Sequence, residues 1–273
     1  VERLSGGNRG MFETFEKIKA NDYDKYFYNR KFIKEIKICD MSVKYSGFDK
    51  NEIDLGQQFY VPFTYIQYDD DKSIIIQSFP EFMDIAFDFI GKFCDNLFSQ
   101  DAFDYLDDIL AEELKKSYNI VPNEELYDRY SIVYGMNSKN MLNLSRTQDS
   151  TIKFNESTEY DVIEGYSYNK NIRGLYYGTL IGNKIVSVAS WNNYEYFTGN
   201  NYIVIDIGCG THENYRKRGY AVSNVVAMAE HILDSGLCAT YSTNNKNTAS
   251  QNTAKAAGFV EVCKRKTFYF KNE

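Results

Sequence analysis

Three consecutive stretches constrain the fold more than any other part of the chain: "YIVIDIG" (Tyr202–Gly208), "GYAVSNVVAMAEHILDSG" (Gly219–Gly236) and "LCATYST" (Leu237–Thr243). The outer two are apolar runs of strand length. Between them Val222, Val225, Val226, Ala229, Ile232 and Leu233 recur at spacings of three and four, the mark of one helix face, and Gly236 supplies the stop. Two strands joined through a helix lie parallel, with a right-handed crossover. Upstream, "GLYYGTLI" and "KIVSVASW" flank Gly182-Asn183 and predict a hairpin. Downstream, Asn247 precedes a short helix, Thr248–Ala257, closed by Gly258, and "FVEVCKRKTFYF" (Phe259–Phe270) alternates as one or two strands. The expected order is β-hairpin, β, α, β, α, β. This is an α/β (α+β) arrangement: a mixed, mostly antiparallel sheet around one central parallel pair.

The earlier part of the chain has a different texture. "SQDAFDYLDDILAEELKKSY" from Ser99 places Phe103, Leu106, Leu110 and Leu114 on one helical face, with acids between them. "YVPFTYIQY" (Tyr60–Tyr68) and "SIIIQSF" (Ser73–Phe79) read as strands around the polar turn "DDDK". With only 3 Pro, boundaries are soft. The division expected is a mixed α/β N-terminal domain over 1–145, of unknown role, and a second domain over 146–273.

Composition narrows the function classes. At 273 residues the chain holds one large domain or two small ones, at about 150 residues per domain. Aromatic residues make up 16%, with 24 Tyr and 19 Phe, but the formal net charge is -7. A nucleic-acid surface needs basic neighbours for its aromatics, so that class is disfavoured and a Tyr/Phe-built core is expected. Cys39, Cys94, Cys209, Cys238 and Cys263 are odd in number and far apart in sequence, with no C-x-x-C. This speaks against a disulfide framework and a zinc site, and for a reducing compartment. "DIAFDFIGKFCDNLF" (Asp84–Phe98) is too short and too charged to span a bilayer. No signal peptide is read at the start, which is Val1 rather than Met, so a trimmed or partial product is expected. The expectation is a cytoplasmic protein with no metal, nucleic-acid or membrane partner.

The loop between the first strand and the helix carries the chemistry. Tyr202–Ala221 reads "YIVIDIGCGTHENYRKRGYA". Its first half resembles the glycine-rich loop of S-adenosylmethionine-dependent methyltransferases, through Asp206, Gly208 and Gly210. However, the third glycine position is His212, and the next strand ends Ser242-Thr243-Asn244 without a carboxylate for a ribose. Only about sixty residues follow, too few for that family's sheet. It stays a remote alternative.

The second half, Arg216-Lys217-Arg218-Gly219-Tyr220-Ala221, resembles the pyrophosphate loop [RQ]-x-x-G-x-[GA] of the GNAT superfamily of N-acetyltransferases, between a strand and an amphipathic helix. Small residues at Gly219 and Ala221 let backbone N–H groups reach phosphate, and the helix N-terminus adds its positive end. "NTASQNTAKAAGF" (Asn247–Phe259) resembles that family's second motif, in which the Asn caps a helix beside the pantetheine arm. The resemblance covers about Asn171–Glu273. It implies a fourth strand, bulged at Gly208 and Gly210 and splayed from the fifth. It also implies that backbone at Cys209, Gly210, Thr211 and His212 would bond the pantetheine amides of acetyl-CoA.

Direct transfer is implied: an amine attacks the thioester in a ternary complex, with no acetyl-enzyme. Where many members carry a Tyr acid, seven residues after the motif Asn, this chain has Ala254. Tyr241 or Ser250 takes the role, the thiolate leaves unaided, or the enzyme is slow or inactive. Asp206 is the candidate base, and His212 and Glu213 compete with it. His231 reads as a helix-end or core residue, and Trp191 as core or acceptor-pocket lining. The expected function is acetyl transfer to a primary amine of a small molecule or peptide, with the acceptor cleft lined by the N-terminal half and the Asn192–Asn201 loop. Acidic charge would steer a cationic acceptor. The layout is similar to bacterial antibiotic-resistance acetyltransferases of the zwittermicin A type. A CoA-binding or interaction module that has lost catalysis is the alternative from another class, and a homodimer is among the expectations.

Overall fold

The computed structural model describes residues 32–47, 59–118, 120–122, 129–154, 160–163, 176–192 and 204–272. Their contacts form two compact units. Among the described residues, one draws on the segments within Lys25–Ile132, Asn244–Lys246 and Val262–Glu273, the other on those within Val133–Thr243 and Asn247–Glu261.

In the first unit, β1 (Phe32–Ile38) and β2 (Met41–Gly47) form an antiparallel pair, and β3 (Phe59–Tyr68) and β4 (Ile74–Ser78) form the hairpin expected around the acidic turn. Helices α1 (Met83–Phe93) and α2 (Gln100–Tyr118) follow, then the short β5 (Ile120–Pro122). β2 runs parallel to β4, and β3 pairs antiparallel with the chain's last strand. The aromatic surplus is spent in the core. Tyr45, Phe63, Tyr65, Phe89, Phe103 and Phe268 are all buried, and the Tyr65 ring lies 5.2 Å from those of Phe89 and Phe98. Such pairs add about 0.5–1.5 kcal/mol each to the gain from area burial. On α2, Phe103, Leu106, Leu110 and Leu114 are the buried stripe, as their spacing predicts.

The second unit opens with β6 (Ser131–Met136, shared with the first) and β7 (Thr151–Phe154), followed by β8 (Asp161–Val162). The expected hairpin is β9 (Tyr176–Ile181) and β10 (Lys184–Asn192), turning at Gly182 with φ +63°. Then come β11 (Val204–Thr211), α3 (Tyr220–Asp234), β12 (Cys238–Asn244) and α4 (Thr248–Ala257), and the chain passes at Val262 into the first unit along β13 (Val260–Asn272). The strands lie in the order β6-β12-β11-β10-β9-β7, a mixed sheet whose parallel pair is β11 and β12. The C-terminal stretch is one strand. α3 packs on β9, β10 and β11 and also against α4. Its buried face includes Val225, Val226, Ala229 and Ile232 as expected, but also Ser223, Asn224 and Met228, whereas Val222 and Leu233 are only half-buried. Among the described residues no helix is long and apolar enough to cross a membrane.

Candidate functional site

β11 and β12 part company along their length. They pair in parallel at only three positions, Val204↔Cys238, Ile205↔Ala239 and Asp206↔Thr240. Beyond Asp206, β11 continues on β10 as far as Thr211, while β12 runs on to Asn244. The N–H of His212 bonds the Val186 carbonyl, so strand alternation turns the backbone groups of Ile207 and Cys209 toward the opened side. The β10–β11 register runs from Asp206 to Thr211 without a shift. The bulge expected at Gly208 and Gly210 is therefore absent, and the opening comes from the loss of β12 pairing alone. The irregularity falls instead between Ile185 and Ser187, in the β9–β10 pairing.

Polar side chains span the gap. The Asp206 carboxylate accepts the Ser242 N–H at 3.0 Å, a ladder bond supplied by a side chain where the backbone has diverged, and the Thr240 hydroxyl at 3.3 Å. The Tyr241 hydroxyl lies 3.1 Å from Cys209 Sγ and 2.9 Å from Ser250 Oγ. The fold thus brings Cys209, Tyr241 and Ser250 together from β11, β12 and α4. Burial, then the neighbouring Cys209, pushes the Tyr241 phenol far above its usual range. Burial likewise raises the Cys209 thiol, against the opposing pull of the Tyr241 bond. Both groups are protonated near neutral pH, so Cys209 is no ready nucleophile. On α4, Asn247 caps the helix by accepting the Ser250 N–H at 3.1 Å, and Ala254 is a fully buried methyl.

The loop after β11 turns back to a helix start that carries no capping side chain. His212 is buried, and its Nδ1 accepts the Asn214 N–H at 3.3 Å, capping the turn Glu213–Tyr215. Arg216 Nε donates to the Thr211 carbonyl at 3.2 Å. Arg218 donates to the Asn214 carbonyl at 3.3 Å, with its guanidinium 5.3 Å from the Tyr215 ring. Lys217 and Gly219 take left-handed φ values of +62° and +81°. The first helical bond within α3 runs from the Ser223 N–H to the Gly219 carbonyl. The N–H groups of Tyr220, Ala221 and Val222 precede it and have no acceptor inside the helix. Three exposed cations, an uncapped first turn and left-handed backbone suit an anion such as a pyrophosphate.

A polar network that the sequence analysis missed sets the distance between these two features. The Asn224 side-chain oxygen accepts from Thr151 at 3.0 Å and Thr179 at 3.2 Å, and its nitrogen donates to Ser187 Oγ at 3.1 Å. Ser187 Oγ lies 3.1 Å from the Gly210 carbonyl and 2.8 Å from Thr211 Oγ1. Ser223 Oγ accepts the Gln148 N–H at 2.8 Å and meets Thr151 Oγ1 at 2.6 Å. The Gln148 side chain in turn donates to the Arg218 carbonyl at 2.9 Å. Thr179, Ser187, Ser223 and Asn224 are fully buried, so each unmet bond would be costly. The network ties the first turn of α3 to β7, β9, β10 and the end of β11. Its legible signal was the Ser-Asn pair interrupting an apolar helical stripe.

Other sequence candidates fall elsewhere. Glu213 is exposed. His231, on α3, faces Tyr177 with ring centroids 6.2 Å apart, and burial lowers its pKa. Trp191 pairs with Ile207, and its buried indole nitrogen has no hydrogen-bond partner. The loop 193–201, expected to line an acceptor cleft, lies outside the described residues.

No family model and no curated protein matches this chain. Among solved structures it is similar to an acetyltransferase from the GNAT family from Colwellia psychrerythraea, at 22% identity and TM-score 0.31, over 35% of each chain. It is also similar to a putative acetyltransferase of the same family from Novosphingobium aromaticivorans, at 12% identity and TM-score 0.40, over 53% of this chain and 66% of that one. A GCN5-related N-acetyltransferase-like protein from Streptococcus suis gives 13% identity and TM-score 0.40, over 95% of this chain and 99% of that one. At such scores the likeness carries no argument about activity, which rests on the residues themselves.

Proposed function

We propose that this chain transfers an acetyl group from acetyl-CoA to a primary amine of a small molecule or peptide, by direct attack in a ternary complex. The observation that carries the reading is the pairing of two features at a distance fixed by buried hydrogen bonds. One is the open β11 edge beside Ile207 and Cys209, and the other is the uncapped, basic start of α3. An open strand edge offers donors and acceptors to an amide-bearing arm, and the helix start takes the phosphates. Arg216, Lys217 and Arg218 supply the charge, while Gly219, Tyr220 and Ala221 supply backbone. Cys209, Gly210, Thr211 and His212 form the strand-side wall, and Asn247 holds the first turn of α4 near Ser250.

When bound, acetyl-CoA supplies a thioester carbonyl open to attack and a thiolate able to leave. Backbone N–H groups on the open β11 edge polarise such a carbonyl. Tyr241 and Ser250 are placed to donate a hydrogen bond to the departing sulfur. A phenol held far above the thiol range stabilises a thiolate by hydrogen bonding without surrendering its proton, which offsets the missing hydroxyl at Ala254. Asp206, whose carboxylate accepts from Thr240 and from the Ser242 N–H beside the opening, is the proposed base for the amine. Free-thiol release from acetyl-CoA across a panel of primary amines tests the reading. Amine-dependent release is the expected result. Acetyl-CoA binding with no release for any amine would favour instead a module that keeps the cofactor site without catalysis, which the buried Ala254 methyl supports.

A further inference from the structure

Gln148 is remote in sequence from the Arg216–Ala221 loop, yet it holds that loop's backbone. It sits between the turn Leu144–Arg146, which packs against α3, and β7. Its main chain is fixed on two sides. The Gln148 N–H donates to Ser223 Oγ at 2.8 Å, and the Gln148 carbonyl accepts the Thr151 N–H at 2.9 Å. Ser223 is fully buried in the first turn of α3, so Gln148 is anchored beside that turn. From there its side-chain nitrogen reaches the Arg218 carbonyl at 2.9 Å. A carbonyl can only accept, so the amide nitrogen of Gln148, and not its oxygen, must face it.

That bond decides where the next N–H points. Across a trans peptide the carbonyl and the N–H face opposite ways, so with the Arg218 carbonyl turned to Gln148 the Gly219 N–H is turned away from it. Gly219 is exposed, and its N–H has no acceptor among the described residues. Its carbonyl is committed to the Ser223 N–H at 3.0 Å. Gln148 also fills one side of the glycine, where a Cβ would lie 2.7 Å from the amide nitrogen. We propose that Gln148 is a positioning residue for the pyrophosphate of acetyl-CoA: by holding the Arg218 carbonyl it aims the Gly219 N–H at the phosphates, beside the cations of Arg216 and Lys217. The inference rests on the acetyl-transfer reading and adds to it a residue that itself touches no ligand. Without the Gln148 donor the Arg218–Gly219 peptide can rotate, because glycine tolerates the change of backbone angle. A rotated peptide would present a carbonyl oxygen to the phosphates in place of an N–H, exchanging attraction for repulsion.

The test is calorimetric titration of the full chain and of Gln148→Met, a side chain of similar length without a donor. The ligands are acetyl-CoA and S-acetylpantetheine, which has the same thioester and amide-bearing arm but no pyrophosphate. Gln148→Met should bind acetyl-CoA about tenfold more weakly, the loss of one aimed hydrogen bond to a charged group, and should bind S-acetylpantetheine as the wild type does. Gln148→Glu, of the same shape but with an acceptor facing the Arg218 carbonyl, should weaken acetyl-CoA binding further. In thiol-release assays Gln148→Met should raise the KM for acetyl-CoA about tenfold while kcat changes by less than about twofold. Equal weakening of both ligands would make the bond merely structural and overturn the inference. So would acetyl-CoA affinity that neither variant alters. A wild-type chain that binds no acetyl-CoA would instead remove the acetyl-transfer reading on which the inference rests, so the two failures are told apart.

Discussion

Three glycines in the second unit share a left-handed backbone and differ in what a methyl group would meet, so a glycine-to-alanine series isolates the role of the α4 terminus. Gly236, after α3, has φ +75° and open space around it. Alanine there incurs only the conformational cost, about 1 kcal/mol. Gly219 has φ +81°, and a Cβ would lie 2.7 Å from the Gln148 side-chain nitrogen. That amide can swing aside, forfeiting its bond to the Arg218 carbonyl, for a total of about 2 kcal/mol. Gly258 has φ +102°, and a Cβ would lie 1.9 Å from the Met141 carbonyl oxygen and 3.3 Å from the Asn143 nitrogen. This is backbone, and it is held in place. The Asn143 N–H donates to the Ala257 carbonyl at 3.1 Å and its side chain to the Ala256 carbonyl at 3.0 Å. Making room breaks both bonds as well as straining the residue, so Gly258→Ala should cost about 4 kcal/mol or more. Urea unfolding with matched slopes measures all three. A Gly258→Ala cost within about 1 kcal/mol of Gly236→Ala would refute the claim that the turn Lys139–Met141 is clamped against the end of α4.

Further outcomes follow from other sites. The Asp107 carboxyl is raised to about 7, first by burial and against the attraction of Lys266, and its Oδ1 has no hydrogen-bond partner. Because the folded-state value is the higher one, the stabilisation is complete below the ordinary carboxylate range and is lost as pH rises through about 7. Asp107→Asn should therefore match the wild type near pH 4 and exceed it near pH 8, by about 1–2 kcal/mol after solvent screening of a partly exposed group. Asn224→Ala leaves Thr151, Thr179 and Ser187 short of partners and should cost about 3 kcal/mol in urea unfolding while weakening acetyl-CoA binding. If the proposed chemistry holds, Tyr241→Phe should lower kcat by about tenfold or more with the acetyl-CoA Kd unchanged, read by thiol release and calorimetry.

Much of the second unit was legible because its signals are local. Gly182-Asn183 between two apolar runs fixes the hairpin, and an Asn cap with a terminal Gly brackets α4 at Thr248–Ala257. What the sequence hid depends on tertiary partners. Ser223 and Asn224, not singled out from the sequence, are buried because Thr151, Thr179 and Ser187 reach them from three strands. The alternation of Phe259–Phe270 left open whether the C-terminus was one strand or two. It continues as one, because Lys266 is buried against the Phe103 and Phe268 rings and donates to the Arg129 carbonyl at 3.1 Å. Glycine spacing at Gly208 and Gly210 pointed to a bulge, yet glycine only permits one, and the strand stays in register. The Cys209, Tyr241 and Ser250 cluster could be guessed member by member, but not as a hydrogen-bonded set.

Calorimetric titration of the full chain with acetyl-CoA, with S-adenosylmethionine as the control, tests the central claim most directly. The account predicts saturable binding of acetyl-CoA, none of S-adenosylmethionine, and loss of binding in Gly219→Glu, which places a carboxylate at the proposed phosphate site. Binding of acetyl-CoA that Gly219→Glu leaves intact, or no binding at all, would contradict it. The Arg216–Ala221 loop would then be a basic turn before a helix and nothing more.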